Sequence, residues 1–376
     1  MLRPPPEKKM RALCVSSGID FYDLLRPKIE IYAQKLGMFL KRFDYIERVF
    51  DQGQYDIVAV NSLSSYEENK IIVSDICSKK KRPCVCWMHG GFCANVSLEG
   101  MDASDLIFAD VYCTYGEAIR LLLDTHFPVT TFGEQNWEKI QRHYPKDTMR
   151  VLSVGTSLME RNAPAIEKIA HDQKTVTFIM GNFWIHNRYY MGGNTPYTYA
   201  QRWEDEKKIM DIFIRYQHQY RIWIKAYPAD LHGRAMMRDY FKDHGGAQIA
   251  VFGAERNIDD LFRETDLALS SWVSTTFFQA MYYEFDQFLF DDSDLTSEAK
   301  EAINQGCFFS ADIDQYCRML EAYLKEGRFY QKDKSLFRSR FMDYEDRTRR
   351  TEKTRQVLKT IAMKKSEIGL RCVSIT

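Results

Sequence analysis

The sequence predicts an α/β protein made of two parallel-sheet units. Three observations carry this expectation. Short apolar runs alternate with stretches of helical periodicity, the pattern of strands linked by crossover helices. The alternation occurs twice, on either side of a polar segment at 157–174. The chain has 376 residues, more than a single average core accommodates.

The elements follow in order. "RALCVSS" at 11–17 reads as a strand ending at Gly18. A helix comes next, because Leu25, Ile29, Tyr32, Ala33, Leu36, Phe39 and Leu40 recur at three-to-four spacing. "YDIVAVNS" at 55–62 is a second strand, followed by a polar-led helix through Ile76. "RPCVCWM" is a third strand, "LIFADVYCTYG" a fourth with a helix from Glu117, and "RVLSVGT" at 150–156 closes this half. The segment 157–174 lacks apolar periodicity and holds a proline, so it reads as a linker or short bridging helix. The alternation then restarts: strands at "TVTFIMG", "YRIWIKAYP", "AQIAVFG", "DLALSSW" and "QFLFDD", with helices over 199–217 and 274–284. The predicted architecture is two Rossmann-like domains facing across a cleft, at 1–160 and 174–335, followed by a helical tail at 336–376 that can pack back on either domain.

Composition narrows the function. Hydrophobic residues at 45% and charged residues at 28% fit a soluble globular protein. Lys plus Arg and Asp plus Glu both number 52, which argues against a general nucleic-acid binder. Aromatic residues at 14% suit packed cores and clefts that take sugars or bases. The 9 cysteines include no C-x-x-C pair, so neither a disulfide framework nor a zinc spacing emerges. No signal peptide and no span near twenty apolar residues is legible. The expectation is a cytoplasmic protein with reduced thiols. Between Lys325 and Lys365 fourteen Lys or Arg stand against six Asp or Glu. That excess reads either as a solvated helical face or as peripheral contact with an anionic membrane surface.

Ligands of open parallel sheets bind beyond the carboxyl ends of the strands. This directs attention to Asp20, His89, Gly181 with Asn182, Lys225 with Tyr227, Glu255, and Ser270 with Ser271. "SSWVSTTFFQAM" passes from a strand into a helix, and Ser271, Ser274, Thr275 and Thr276 gather at the helix start. Free N–H groups and hydroxyls there suit an anion such as a nucleotide phosphate, although N-capping alone needs one of the four. By strand alternation Lys225 and Tyr227 point to one side, where they can hold a phosphate or stand as a snorkelling lysine and a half-buried phenol. His89, in "CWMHGG", is either a general base or a hydrogen-bonded structural imidazole. Asp20 is the reserve base. The long aromatic stretch "FWIHNRYYMGGNTP" reads as a lid that brings His186 and Arg188 to a phosphate, or as a surface loop. Asp292 with Asp294 and Asp312 with Asp314 are read as helix-capping pairs rather than metal ligands. No Gly-x-Gly-x-x-Gly and no Gly-Lys-Ser/Thr loop occurs.

Three blocks resemble a known family. "CWMHGG", "IKAYP" and "LFRETDLALSSWVSTTFFQAMYYEFDQFLFDD" resemble motifs of the two-domain GT-B glycosyltransferases, in the branch of bacterial teichoic acid glycerophosphotransferases and capsule or lipopolysaccharide transferases. The order of blocks spans roughly residues 10–325. Met88 intervenes before His89, Tyr227 stands where the family has His, and Trp272 and Val273 interrupt its Ser-Ser run. The resemblance implies that His89 activates the acceptor, that Lys225, Ser271, Ser274 and Thr275 hold donor phosphates, and that 253–257 lies near the nucleotide base. It implies an inverting transferase of surface polysaccharide synthesis without metal or other cofactor. Its donor is a nucleotide-activated sugar and its acceptor a glycan or lipid-linked molecule. The alternatives are a nucleotide-sugar 2-epimerase of the same fold, which needs several acidic residues in the cleft, and a non-catalytic nucleotide-sugar or glycan-binding protein.

Overall fold

The structure is a computed structural model. It describes residues 15–16, 19–20, 22–53, 55–61, 68–88, 109–126, 150–155, 168–169, 171–180, 199–227, 230–292, 295–328, 330, 332–342 and 347–363.

The N-terminal half opens with β1 (Val15–Ser16) and β2 (Ile19–Asp20), which pair antiparallel. The long helix α1 (Tyr22–Gln52) follows. Then come β3 (Val58–Asn61), α2 (Glu68–Lys79), β4 (Cys84–Trp87), β5 (Val111–Thr114), α3 (Glu117–His126) and β6 (Arg150–Ser153). Strands β3-β4-β5-β6 form a parallel sheet in consecutive order. Val15 and Ser16 are the described part of the strand expected over 11–17, and the rest of it lies outside the described residues. Val15 and Ser16 turn back on Ile19 and Asp20 and pair with no strand of this sheet among the described residues.

The C-terminal half holds β7 (Thr175–Ile179), α4 (Tyr199–Tyr216), β8 (Arg221–Lys225), α5 (Leu231–Asp243), β9 (Ala250–Phe252), α6 (Ile258–Phe262), β10 (Leu267–Ser270), α7 (Thr275–Ala280), β11 (Asp286–Phe290), α8 (Ser297–Gly306), β12 (Phe308–Ser310) and α9 (Ile313–Glu326). Its six strands are parallel in the order β12-β11-β10-β7-β8-β9. Counted within this half, that is the doubly wound order 3-2-1-4-5-6, and it reverses between β7 and β10. Every residue of β7, β10 and β11 is buried, as expected when helices cover both faces. Their apolar residues, such as Val176, Phe178 and Ile179 in β7 and Phe288, Leu289 and Phe290 in β11, made the strands legible.

Helix starts follow side-chain chemistry. The carboxylate of Asp230 accepts the Gly233 N–H at 2.8 Å to start α5. Thr296 accepts Ala299 N–H at 3.1 Å to start α8. Asp312 accepts Gln315 N–H at 2.6 Å to start α9, and Gly327, at φ 70°, ends it in the left-handed region that glycine adopts without strain. Asp312 is therefore the capping residue expected of it, whereas Asp294 lies outside the described residues. The helix expected over 274–284 is shorter: α7 stops at Ala280. Lys334 donates to the Ala280 and Tyr283 carbonyls, at 3.3 and 2.8 Å, and draws the turn into β11.

The tail returns to the N-terminal half. Helix α10 (Ser335–Phe341) buries Phe337 and Phe341, stacked 5.1 Å apart, and Phe337 meets Phe277 and Phe278 edge-on. They join one apolar cluster with Cys86, Tyr112, Tyr115 and Ile119 of the N-terminal half. Gly116 permits this contact, since a Cβ there would stand 2.3 Å from the Phe341 backbone. Helix α11 (Arg347–Met363) then places Ile361 against Val85, Val111 and Cys113.

Candidate functional site

The carboxyl edge of the six-stranded sheet gathers the polar groups. Strand register aligns Lys225, Ile179, Ser270 and Leu289 in one row across it. Strand order reverses between β7 and β10, so the crevice of the fold opens beside Ser270 and Ser271.

The loop from Ser271 to Ser274 is held from three sides. Asp291, just past β11, accepts the Val273 N–H at 2.5 Å. Ser274 caps α7 by accepting the Phe277 N–H at 3.1 Å. Ser271 is engaged by two residues of α4. Arg202 Nη2 donates to its carbonyl at 3.3 Å and its hydroxyl at 3.1 Å, and the hydroxyl donates to Glu206 Oε1 at 3.3 Å. Arg202 Nε reaches the same Glu206 oxygen at 3.4 Å, and its guanidinium carbon lies 5.9 Å from the Trp272 ring centre. Ser270 is fully buried, and its hydroxyl has no partner among the described residues. Thr275 and Thr276 are half-buried at the rim.

Electrostatics single out Glu206. It is 2% exposed, and burial pushes its carboxyl up to about 7 against the opposing pull of Arg202 and the Ser271 hydroxyl, with Asp230 adding to the rise. Its Oε2 is buried without a partner among the described residues. Burial also raises Asp205, on the same helix, against Lys208.

Lys225 and Tyr227, expected from strand alternation to point to one side, differ in burial. Strand β8 ends at Lys225, two residues before Tyr227. Tyr227 is half exposed, whereas Lys225 is buried. The Lys225 ammonium donates to the Gly253 carbonyl and, at 2.6 Å, to that of Arg256. Burial lowers its pKa. Two of its three donors therefore hold the 253–256 turn. Glu255 belongs to the same turn. It accepts the Gly253 N–H at 2.8 Å and Arg234 Nη1 at 2.9 Å, and the backbone N–H groups of Gly253 and of Glu255 itself, with Arg234 and Arg238, hold its carboxyl below the usual range.

The structure thus places Ser270, Ser271, Ser274, Thr275 and Thr276 in one segment from the end of β10 to the start of α7, while Lys225 ends β8 and holds the 253–256 turn that carries Glu255. His89, Gly181, Asn182 and Arg188 lie outside the described residues, and for Asp20 only the backbone, in β2, is described. Among the described residues no group of three or more His, Cys, Asp and Glu side chains is arranged to hold a metal ion.

Sequence reasoning passed over Arg202 and Glu206. A signal was present: Glu206, Ile209, Met210 and Phe213 follow the spacing of the buried face of α4. A carboxylate at an apolar position needs a partner, and Arg202 stands one turn before it.

No protein-family model matches the chain, and no curated protein matches it by sequence. Solved structures do. The S. aureus MnaA–UDP co-structure superposes with a TM-score of 0.52 at 10% identity, covering 86% of this chain and 79% of that one. An OtsA apo structure gives 0.45 at 11% identity over 88% and 75%. The pneumococcal O-GlcNAc transferase GtfA, solved with UDP and GlcNAc, gives 0.41 at 8% identity over 79% of this chain, which spans 54% of that protein's length. The likeness to the MnaA structure, with the two parallel sheets, establishes the two-domain GT-B fold.

Proposed function

We propose that this protein is a glycosyltransferase that moves a sugar from a nucleotide-activated donor to a glycan or lipid-linked acceptor in surface polysaccharide synthesis. The observation that carries the reading is the loop Ser271–Ser274, held at the point where the six-stranded sheet reverses its strand order. In this fold class that point is where a nucleotide sits, and the MnaA structure of the same fold holds UDP.

In the proposed reaction His89 takes the proton of an acceptor hydroxyl. The hydroxyl oxygen attacks the anomeric carbon, and the bond from that carbon to the donor phosphate oxygen breaks with inversion. The nucleotide leaves with the bonding pair. The half-buried Thr275 and Thr276 hydroxyls, at the start of the helix that Ser274 caps, supply donors to the departing phosphate, so no metal is invoked. Lys225 acts one step away, fixing the turn at 253–257 beside the nucleotide base through its two carbonyl bonds. The basic tail is proposed to rest on an anionic membrane surface. Val357 and Ile361 of α11 pack inward, while Arg355 and Lys359 are exposed. Among the described residues no helix is long and apolar enough to cross a membrane.

Acceptor-dependent release of nucleotide from a panel of nucleotide sugars tests the reading. His89→Ala is expected to lower that turnover by about a hundredfold or more with donor affinity retained. Release that ignores both the acceptor and the substitution counts against it.

The buried carboxylates near the reversal point, Glu206, Asp230 and Asp291, favour a second reading, the 2-epimerase. NMR of a nucleotide sugar incubated without acceptor separates the two. A new sugar isomer indicates the epimerase, and an unchanged donor indicates the transferase. Donor binding without turnover under either condition indicates a binding protein.

A further inference from the structure

The Arg202–Glu206 pair is more than a helix-surface ion pair. Such pairs at i,i+4 are ordinarily solvated at both ends and contribute little. Here the Arg202 side chain is 21% exposed and that of Glu206 only 2%. Burying a carboxylate for one guanidinium contact is unfavourable unless further hydrogen bonds share the cost, and Ser271 is the further partner, 65 residues along the chain.

The guanidinium geometry shows what this arrangement leaves open. Arginine carries five donors in a rigid planar fork. The Nε–H is directed at Glu206, and both Nη2 hydrogens at Ser271. The two Nη1 donors have no partner among the described residues. Arg202 is therefore fixed along one edge and open along another, beside the loop at the sheet reversal.

Resting on the reading of that crevice as a nucleotide-donor site, we propose that Arg202 anchors the donor diphosphate and that Glu206 is the positioning residue that holds its guanidinium against Ser271. Arginine forks match phosphate oxygens in two-point contacts, and a partner carboxylate fixes the plane of the fork before the ligand arrives.

The arrangement couples donor binding to a proton. The groups facing Glu206 are Arg202 on its own helix, Ser271 in the β10–α7 loop and Asp230 before α5. A phosphate on Arg202 adds negative charge beside the Glu206 carboxyl and favours its protonated form. By linkage the phosphate binds more tightly where Glu206 carries the proton. That carboxyl already titrates in the neutral range, so the effect falls between about pH 6 and 8.5.

Calorimetric titration of the full chain with UDP, CDP, GDP and dTDP, alongside the matching nucleosides at millimolar concentration, tests this. The wild type is expected to bind at least one diphosphate. Arg202→Gln should weaken that diphosphate about tenfold or more and leave its nucleoside unchanged. Arg202→Lys keeps the charge without the fork and should fall between. It also serves as the test variant should Arg202→Gln lose its cooperative melting transition. Glu206→Gln should bind about as well as the wild type at pH 6 but lose the wild type's roughly tenfold weakening toward pH 8.5. A wild type that binds no diphosphate removes the donor-site reading itself. Diphosphate affinity unchanged in both Arg202 variants overturns the anchor alone. A Glu206→Gln variant with the wild-type pH profile overturns the positioning role.

Discussion

The two halves of the molecule use the same device at one end of their sheets and differ at the other. At the amino edge, Asp110 accepts the Cys84 N–H at 2.8 Å in the N-terminal half, and Asp266 accepts the Thr175 N–H at 2.9 Å in the C-terminal half. Each carboxylate precedes a strand and ties down the start of its neighbour. At the carboxyl edge the halves part. The four-stranded sheet runs in consecutive order, whereas the six-stranded sheet reverses between β7 and β10. Only at that reversal, among the described residues, does a buried carboxylate bind a guanidinium and a serine of the opposing loop while one of its oxygens stays unpaired. An acid that receives a backbone N–H at a strand start is a fastener. In the proposed reading, the acid at the reversal responds to a ligand.

The largest expected effect breaks the join between the halves. Phe337→Ala removes a fully buried ring that meets Phe277, Phe278 and Phe341. It should cost about 3–5 kcal/mol in urea unfolding, and unfolding should become biphasic as the tail ceases to couple the two halves. A single sharp transition with little loss would show that the halves cohere through other contacts.

Next comes the reversal itself. The folded Glu206 carboxyl sits near 7, above the ordinary value near 4.3 that it regains on unfolding. Between those values the folded protein binds more protons than the unfolded chain. Stability from this group is therefore full below about pH 4 and declines as pH rises toward 7. The decline should be at most about 3 kcal/mol, read as wild type minus Glu206→Gln in urea midpoints from pH 4.5 to 8. Parallel curves would make Glu206 a fastener like Asp110.

A smaller effect separates capping from binding within one loop. Ser274→Ala removes the bond to the Phe277 N–H and should cost about 1 kcal/mol. Nucleotide affinity should be little altered, as measured by the same calorimetry. A large loss of affinity with unchanged stability would move Ser274 from cap to ligand contact.

The smallest effect on folding tests the tail. Reversing Arg355 and Lys359 to Glu should change stability by no more than about 0.5 kcal/mol. It should abolish co-sedimentation with phosphatidylglycerol vesicles and leave the absence of binding to phosphatidylcholine unchanged. Equal sedimentation of the wild type with both lipids would leave α11 a solvated face.

Much of the fold is legible in the sequence because strands buried on both faces carry clusters of β-branched and aromatic residues. "TVTFI" and "DQFLF" are strands for that reason, and α3 begins at Glu117, as its periodicity predicts. Helix α5 and strand β12 escaped notice. The first buries only Gly233, Met237 and Phe241 along thirteen residues, and the second has three residues, two of them half-buried. The Ser/Thr segment was legible as a loop entering a helix. Arg202 and Glu206 were not singled out, since an i,i+4 Arg–Glu pair looks the same whether it faces water or a serine sixty-five residues away.

By itself the sequence determined the two rounds of strand and helix, the position of the Ser271–Thr276 segment at a strand end, and the basic excess of the tail. These are local properties, set by periodicity, composition and capping chemistry over a few turns. Only the tertiary structure decided that the strand order reverses beside Ser271, that Lys225 turns inward to hold the 253–256 carbonyls, and that the tail packs against Gly116. Each of these depends on groups far apart in the chain meeting in a low-dielectric interior. There, burial and hydrogen bonding, rather than residue type, assign a side chain its charge state and its partners.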